Sequence, residues 1–242
     1  MIGIGWSRWA PRYRKIAEKL GIREEDDIAA AHALNALLPF PDLDSLKRIV
    51  GRKACIVFGA GPSLDEDLMT LSLKGWFKKV IISADGATTA VLKYGRPDII
   101  VTDLDGDIRD QLEAWERGAW MVVHAHGDNL RKVEEVVPKL GTRVIGTTQT
   151  KPFGKLFNFG GFTDGDRAAF LAWALGASKI YLAGMDLGKA VGKYSGEKDY
   201  LRKILKLEIC GELLSWLATL GAKVVNLTSG GEDIPNIPRR RV

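Results

Sequence analysis

Acidic residues crowd the run Asp103-Leu104-Asp105-Gly106-Asp107, which directly follows the apolar stretch 98–102. Carboxylates this close repel one another, so packing alone gives little reason for them. A hard cation resolves the repulsion, and Mg²⁺ suits one or two carboxylates together with phosphate oxygens. Alternate residues of an extended segment share a face, so Asp103 and Asp105 are the expected metal ligands, while Asp107 suits the cap of the next helix.

Other chemistry-bearing turns follow the same grammar. The run 53–58 leads into Gly59-Ala60-Gly61-Pro62-Ser63, where glycines admit close backbone approach and a helix start offers N–H groups to an anion. This is not a Walker A loop, because the Gly-Lys-Thr/Ser ending is missing. The run 79–84 leads into Asp85-Gly86, 119–124 into His124-Ala125-His126-Gly127-Asp128-Asn129, 142–147 into Thr148-Gln149, and 178–183 into Gly184-Met185-Asp186. Asp128 is a candidate catalytic carboxylate, and the general base is open between Asp128 and His126. A looser segment, Asn158 to Arg167, holds glycines for a loop around a ligand, aromatics able to stack on a flat ring, and Thr163 or Asp164 as a helix N-cap.

The elements that must position these turns alternate. The strand-like runs named above, with 98–102 and 222–227, are nearly continuous in apolar residues. Helical patterns fall near 64–75, 87–94, 107–117, 128–140, 164–176 and 196–220. Apolar strands separated by helices predict a doubly wound, mostly parallel sheet with helices on both faces. All the turns above then lie at the carboxyl edge, where open α/β sheets bind ligands. Residues 1–50 read instead as helices near 11–20, 24–38 and 42–50. They form a helical N-terminal segment ahead of an α/β catalytic domain over 51–242. The 196–220 helix carries Leu201, Ile204, Leu205, Ile209, Leu213, Trp216 and Leu217 as one stripe, with Gly221 suited to its C′ position.

Composition narrows the class. With 46% hydrophobic and 27% charged residues, the chain of 242 can bury a substantial core. No apolar run reaches the roughly 18 to 20 residues of a membrane span, and the start lacks signal-peptide features. The expectation is a cytoplasmic protein without a membrane partner. A net charge of +5 suits polyphosphates. Its basic clusters, Arg8 to Lys15 and Arg239 to Arg241, accompany no nucleic-acid module, so no nucleic-acid partner is expected. Cys55 and Cys210 have no CxxC partner and read as buried thiols. Surplus apolar helix surface in 1–50 and 201–217 predicts a homodimer.

Taken together, GAGPSL at 59–64, SADGA at 83–87, PDIIVTDLDGD at 97–107, HAHGDN at 124–129, NFGGFTDGDR at 158–167 and GMDLG at 184–188 resemble the archaeal 6-hydroxymethyl-7,8-dihydropterin pyrophosphokinase family, the MptE-like group. That group is distantly similar to thiamin pyrophosphokinases. The likeness spans about 50–230. It implies that ATP donates a diphosphate to the hydroxymethyl group of a reduced pterin, leaving AMP, on the way to folate- or methanopterin-type cofactors. By motif it implies Asp85, Asp103 and Asp105 as Mg–ATP residues, with Asp128 beside them. Gly59, Gly61, Ser63 and Gly86 become nucleotide-binding candidates, and Asn158, Thr163, Asp164 and Asp166 border the pterin. The chain departs from thiamin pyrophosphokinases at Asp103-Leu104-Asp105-Gly106, where they have Asp-Phe-Asp-Ser. It also leaves little room after Gly188 for their C-terminal β-sandwich. A glycosyltransferase of the sialyltransferase-like class, using nucleotide sugars, and a non-catalytic nucleotide-binding protein are the alternatives.

Overall fold

The computed structural model describes residues 3–188, 192–194 and 199–242. An eight-stranded sheet runs in the order β6-β5-β4-β3-β2-β1-β7-β8, and every pairing is parallel. Its strands are β1 (Ala54–Phe58), β2 (Val80–Ala84), β3 (Ile99–Thr102), β4 (Trp120–Ala125), β5 (Val144–Thr148), β6 (Leu156–Phe157), β7 (Lys179–Ala183) and β8 (Val224–Asn226). The chain steps outward from β1 to β6 and then returns to lay β7 on the other side of β1. The strand order therefore reverses between β1 and β7, the kind of crevice where doubly wound sheets hold ligands. β6 was not expected from the sequence, because two residues carry no readable periodicity.

Helices cover both faces, as the continuous apolar strands require. Cys55 and Val57 of β1 face a core shared with α1 (Trp6–Leu20), α3 (Leu43–Val50), α8 (Asp164–Ala174) and α9 (Tyr200–Thr219). Ile56 and Phe58 face α4 (Leu64–Leu73) and α5 (Ala87–Val91). Further along that second face, Ile100, Met121 and Val123 pack with α2 (Glu24–Leu37), α6 (Ile108–Glu116) and α7 (Leu130–Val136). The N-terminal helices thus belong to the cores of the sheet: Trp9, Tyr13, Leu46 and Val50 on one face, Ala30, Ala31 and Leu34 on the other.

Local chemistry sets the ends. Asp107 caps α6, accepting from the Arg109 and Asp110 amides. Thr163 is the N-cap of α8, and Gly221 follows α9 at φ 93°. Helix α1 begins at Trp6, earlier than expected, and carries Pro11 inside it. The predicted start of the last helix at 196 lies outside the described residues; from Tyr200 the helix runs to Thr219. Its stripe divides. Ile209, Leu213 and Leu217 are buried in the core, whereas Leu201 is 71% exposed. The first half of α9 therefore stands beyond the core, over the carboxyl edge of the sheet. Among the described residues no helix is long and apolar enough to cross a membrane.

Candidate active site

Asp85 follows β2 and sits at φ 40°, a conformation unfavourable for a residue with a Cβ. Its Oδ1 accepts from Thr102 Oγ1 at 2.6 Å and from Gln111 Nε2 at 2.9 Å. Asp103 follows β3. Its Oδ2 meets His126 Nε2 at 3.3 Å, while His126 Nδ1 accepts the Asp128 amide at 3.2 Å. That second bond places the ring proton on Nε2, so His126 donates to Asp103 and both ring nitrogens are engaged. Asp164 opens α8 and pairs with Arg167 Nη1 at 3.3 Å.

The carboxylates of Asp85, Asp103 and Asp164 converge, with one oxygen from each within 4.8 Å of the other two. Burial, then the charge of Asp103, raises the pKa of Asp85. The same two causes push Asp164 well above the usual carboxylate range, against the pull of Arg167. A carboxylate trio that is costly to ionise together, and that offers hard oxygen donors, fits a magnesium ion.

Asp105 lines the same cavity but lies outside that trio. The extended path expected to aim it beside Asp103 does not form, because buried Leu104 turns the backbone at φ 66°. The Asp105 carboxylate instead ion-pairs with Lys132 on α7 at 2.9 Å.

Around this trio lies a cavity of about 390 Å³. Gly59, Ala60 and Gly61 form one wall and Gly184, Met185 and Asp186 the next, across the β1–β7 crevice. The walls touch so closely that a Cβ on Gly61 would lie 2.2 Å from Asp186 Oδ2 and 2.6 Å from Gly184 O. Gly86 also lines the cavity, and a Cβ there would meet Tyr194 O at 2.0 Å. Ser63 gives its amide and hydroxyl to Asp186 Oδ2, at 3.1 and 2.8 Å. An anion does sit at the start of α4, and it is the protein's own carboxylate. Buried Asp67 ties the seam further, accepting from Gly184 N and Ser229 N.

The residues expected near the substrate separate. Thr163 and Asp164 line the large cavity. Asp166 is fully buried and accepts from the amides of Phe162 and Thr163, which makes it a cap of α8. Asn158 is buried too, donating to Thr150 O and accepting from Gly160 N. Asp128 lies at the rim of a second, smaller cavity, with its side chain 83% exposed.

Sequence reasoning missed the basic wall. Arg202, Lys203 and Lys206, on the projecting half of α9, line the large cavity with Lys132. Their spacing on a helix reads as a solvated face, and only the fold shows that this face overlooks carboxylates. Arg167 stood within the quoted motif without a role. It is 7% exposed, and its Nη2 donates to Gln149 Oε1 at 3.1 Å.

Fold and edge together define a doubly wound α/β protein whose ligand crevice is acidic on its strand ends and basic on its covering helix. The family model described as 6-hydroxymethylpterin diphosphokinase MptE-like matches residues 29–192, and the chain belongs to that family. A protein of Pyrococcus furiosus named 6-hydroxymethyl-7,8-dihydropterin pyrophosphokinase is 47% identical over 238 residues, covering 92% of this chain and 99% of its own. Proteins of the same name from Methanothermobacter thermautotrophicus and Methanocaldococcus jannaschii are 46% and 40% identical, covering 89% and 86% of this chain and 95% and 94% of theirs.

Proposed function

We propose that the chain transfers the terminal diphosphate of Mg–ATP to the hydroxymethyl group of 6-hydroxymethyl-7,8-dihydropterin and releases AMP. The observation that carries this reading is the convergence of Asp85, Asp103 and Asp164 within 4.8 Å, facing the cations of α9 across a cavity of nucleotide size. The names of the relatives supply the acceptor.

In this reaction the hydroxymethyl oxygen bonds to the β-phosphorus. The bond from that phosphorus to the bridging oxygen of the α-phosphate breaks, AMP keeps that oxygen, and the hydroxyl proton passes to solvent water. Such transfer depends on positioning and charge neutralisation more than on a covalent protein group. Asp85, Asp103 and Asp164 would hold a magnesium ion, which would supply charge neutralisation for the phosphate oxygens. Arg202, Lys203 and Lys206 attract and orient the polyphosphate, and His126 holds the Asp103 carboxylate in place. The apolar lining at Met185, Leu187 and Leu207 accepts the less polar part of the nucleotide. The product carries a diphosphate leaving group on a reduced pterin, suited to carbon–nitrogen bond formation in building folate- or methanopterin-type cofactors.

The test is incubation with β-labelled ATP, Mg²⁺ and a panel of hydroxymethylpterins, thiamin and sugar acceptors. Label on the reduced pterin with stoichiometric AMP is the expected result. ADP with a monophosphorylated acceptor, or turnover only with thiamin or a sugar, overturns the reading. The proposal extends to a two-fold homodimer formed through the exposed start of α9, where Tyr200 and Leu201 are adjacent and apolar. Light scattering at micromolar concentration checks it, and a monomer overturns it.

A further inference from the structure

A second cavity of about 200 Å³ opens beside the first. Its own walls come from Ile22, Arg23 and Asp26 at the α1–α2 turn, from His126 and Asp128 after β4, and from Gln149 after β5. The two cavities share Asp103, Phe162, Arg167, Arg202 and Lys206. Three of those five are cations, and one is a member of the acidic trio.

The smaller cavity is built rather than incidental. Buried Asp27 braces it, accepting from Gly127 N at 2.9 Å, Tyr13 Oη at 2.7 Å and Gln149 Nε2 at 2.6 Å. A Cβ on Gly127 would lie 2.7 Å from Asp26 Cβ, so the α1–α2 segment and the β4 loop are fitted to one another. In the shared wall, buried Arg167 keeps an Nε–H with no hydrogen-bond partner among the described residues. The residue itself borders both cavities, and its Nη2 and Nη1 are fixed by Gln149 and Asp164.

We propose that this smaller cavity is the acceptor subsite, holding the flat amide- and amino-bearing heterocycle, and that the shared wall holds the diphosphoryl group in transit. The inference rests on the diphosphate-transfer reading above and adds the placement of its two substrates. In-line displacement brings the attacking and leaving oxygens to opposite sides of the phosphorus. Two cavities meeting at one cationic wall provide that arrangement, with the nucleotide in the larger. The carboxylates of Asp26 and Asp128 at the rim suit the amino and ring N–H donors of the heterocycle, and the positive charge of Arg167, which borders both cavities, suits an anionic oxygen at the junction. The N-terminal helical segment thereby becomes a determinant of acceptor specificity.

The experiment measures binding and kinetics on the full chain. 6-Hydroxymethyl-7,8-dihydropterin and a non-hydrolysable ATP analogue are titrated calorimetrically, each alone, into wild type, Asp26→Asn/Asp128→Asn and Lys203→Ala. These substitutions lie at exposed or half-buried positions. The double variant is expected to weaken pterin binding and raise the pterin KM about ten-fold or more, leaving ATP-analogue binding within about two-fold. Lys203→Ala is expected to do the reverse. Unchanged pterin affinity in the double variant, or weakened nucleotide affinity in its place, overturns the subsite assignment while leaving the diphosphate-transfer reading standing. A wild type that neither binds nor converts any pterin overturns that reading, and this inference with it.

Discussion

At the scale of single residues, Asp103 joins the parts of the site. It belongs to the acidic trio, accepts from His126 and borders both cavities. Asp103→Asn is expected to lower kcat by about 10²-fold or more, since preorganised charge at a phosphoryl site carries a large share of the rate. It is also expected to abolish stabilisation by Mg²⁺. In wild type, magnesium at ten times its dissociation constant adds about 1.4 kcal/mol by mass action. Thermal melts with and without EDTA check this, and an Asp103→Asn variant that still gains stability from Mg²⁺ rules out the metal assignment. Asp105→Asn is expected to be milder, about ten-fold in kcat or roughly 1.4 kcal/mol, because that carboxylate is directed to Lys132. The acidic turn was legible because like charges at a strand end need an explanation. Its geometry was not, since nothing in Asp-Leu-Asp announces that Leu104 adopts a positive φ and parts its neighbours. Nor can spacing show that Asp164, far along the chain, completes the group.

His124 lends itself to a pH test. It is buried, its Nδ1 lies 3.0 Å from Thr147 Oγ1, and its Nε2 has no hydrogen-bond partner among the described residues. Burial first, then the neighbouring Arg167 and His126, holds its pKa well below the ordinary value of 6.5. The sign follows from proton binding: below about pH 6.5 the unfolded chain takes up a proton that the folded chain refuses, so stability falls as the pH drops through that window. His124→Asn is expected to flatten this acid limb. Urea midpoints of both proteins between pH 7 and pH 5 supply the check, and parallel slopes would remove His124 as the cause.

At the scale of elements, α9 does two jobs along one axis. Its second half is held by Leu213, Leu214 and Leu217 in the core, and its first half carries cations over the site. Leu213→Ala is expected to cost about 2–5 kcal/mol while leaving KM for ATP unchanged in the protein that remains folded. Lys206→Ala is expected to raise that KM with little loss of stability. Urea unfolding and steady-state kinetics on both variants separate anchor from wall, and matching effects in the two would mean the halves do not act separately. The β1–β7 seam is a second such element. Gly61→Ala drives a methyl into Asp186 and Gly184 O, contacts that cannot give way without parting the strands' loops. Most of this framework was readable in advance, because continuous apolar strands and helical periodicity are separate signals. The orientation of α9 was not: its charged face follows the same pattern whether it meets water or a polyphosphate.

At the scale of the whole molecule, the N-terminal segment decides whether the chain has one core or an ornamented one. Trp9, Tyr13, Leu46 and Val50 are essentially fully buried against the sheet, and Trp9 Nε1 donates to Gln149 O at 2.7 Å. Four such side chains, at about 1.5–3 kcal/mol each, rival the 5–15 kcal/mol by which a whole domain is usually stable. On the other face Ala30, Ala31 and Leu34 cover β4 and β5, so removing 1–50 strips both layers at once. The intact chain is therefore expected to unfold in one cooperative transition, and a chain beginning at residue 51 is expected not to fold. Calorimetry of the intact chain and circular dichroism of the shortened one measure these outcomes. A shortened chain that melts cooperatively and binds the ATP analogue would show that the helices are an added layer, whereas its failure to fold, with a single transition in the full chain, makes them part of the catalytic unit whose turn at Ile22 to Asp26 lines the acceptor cavity.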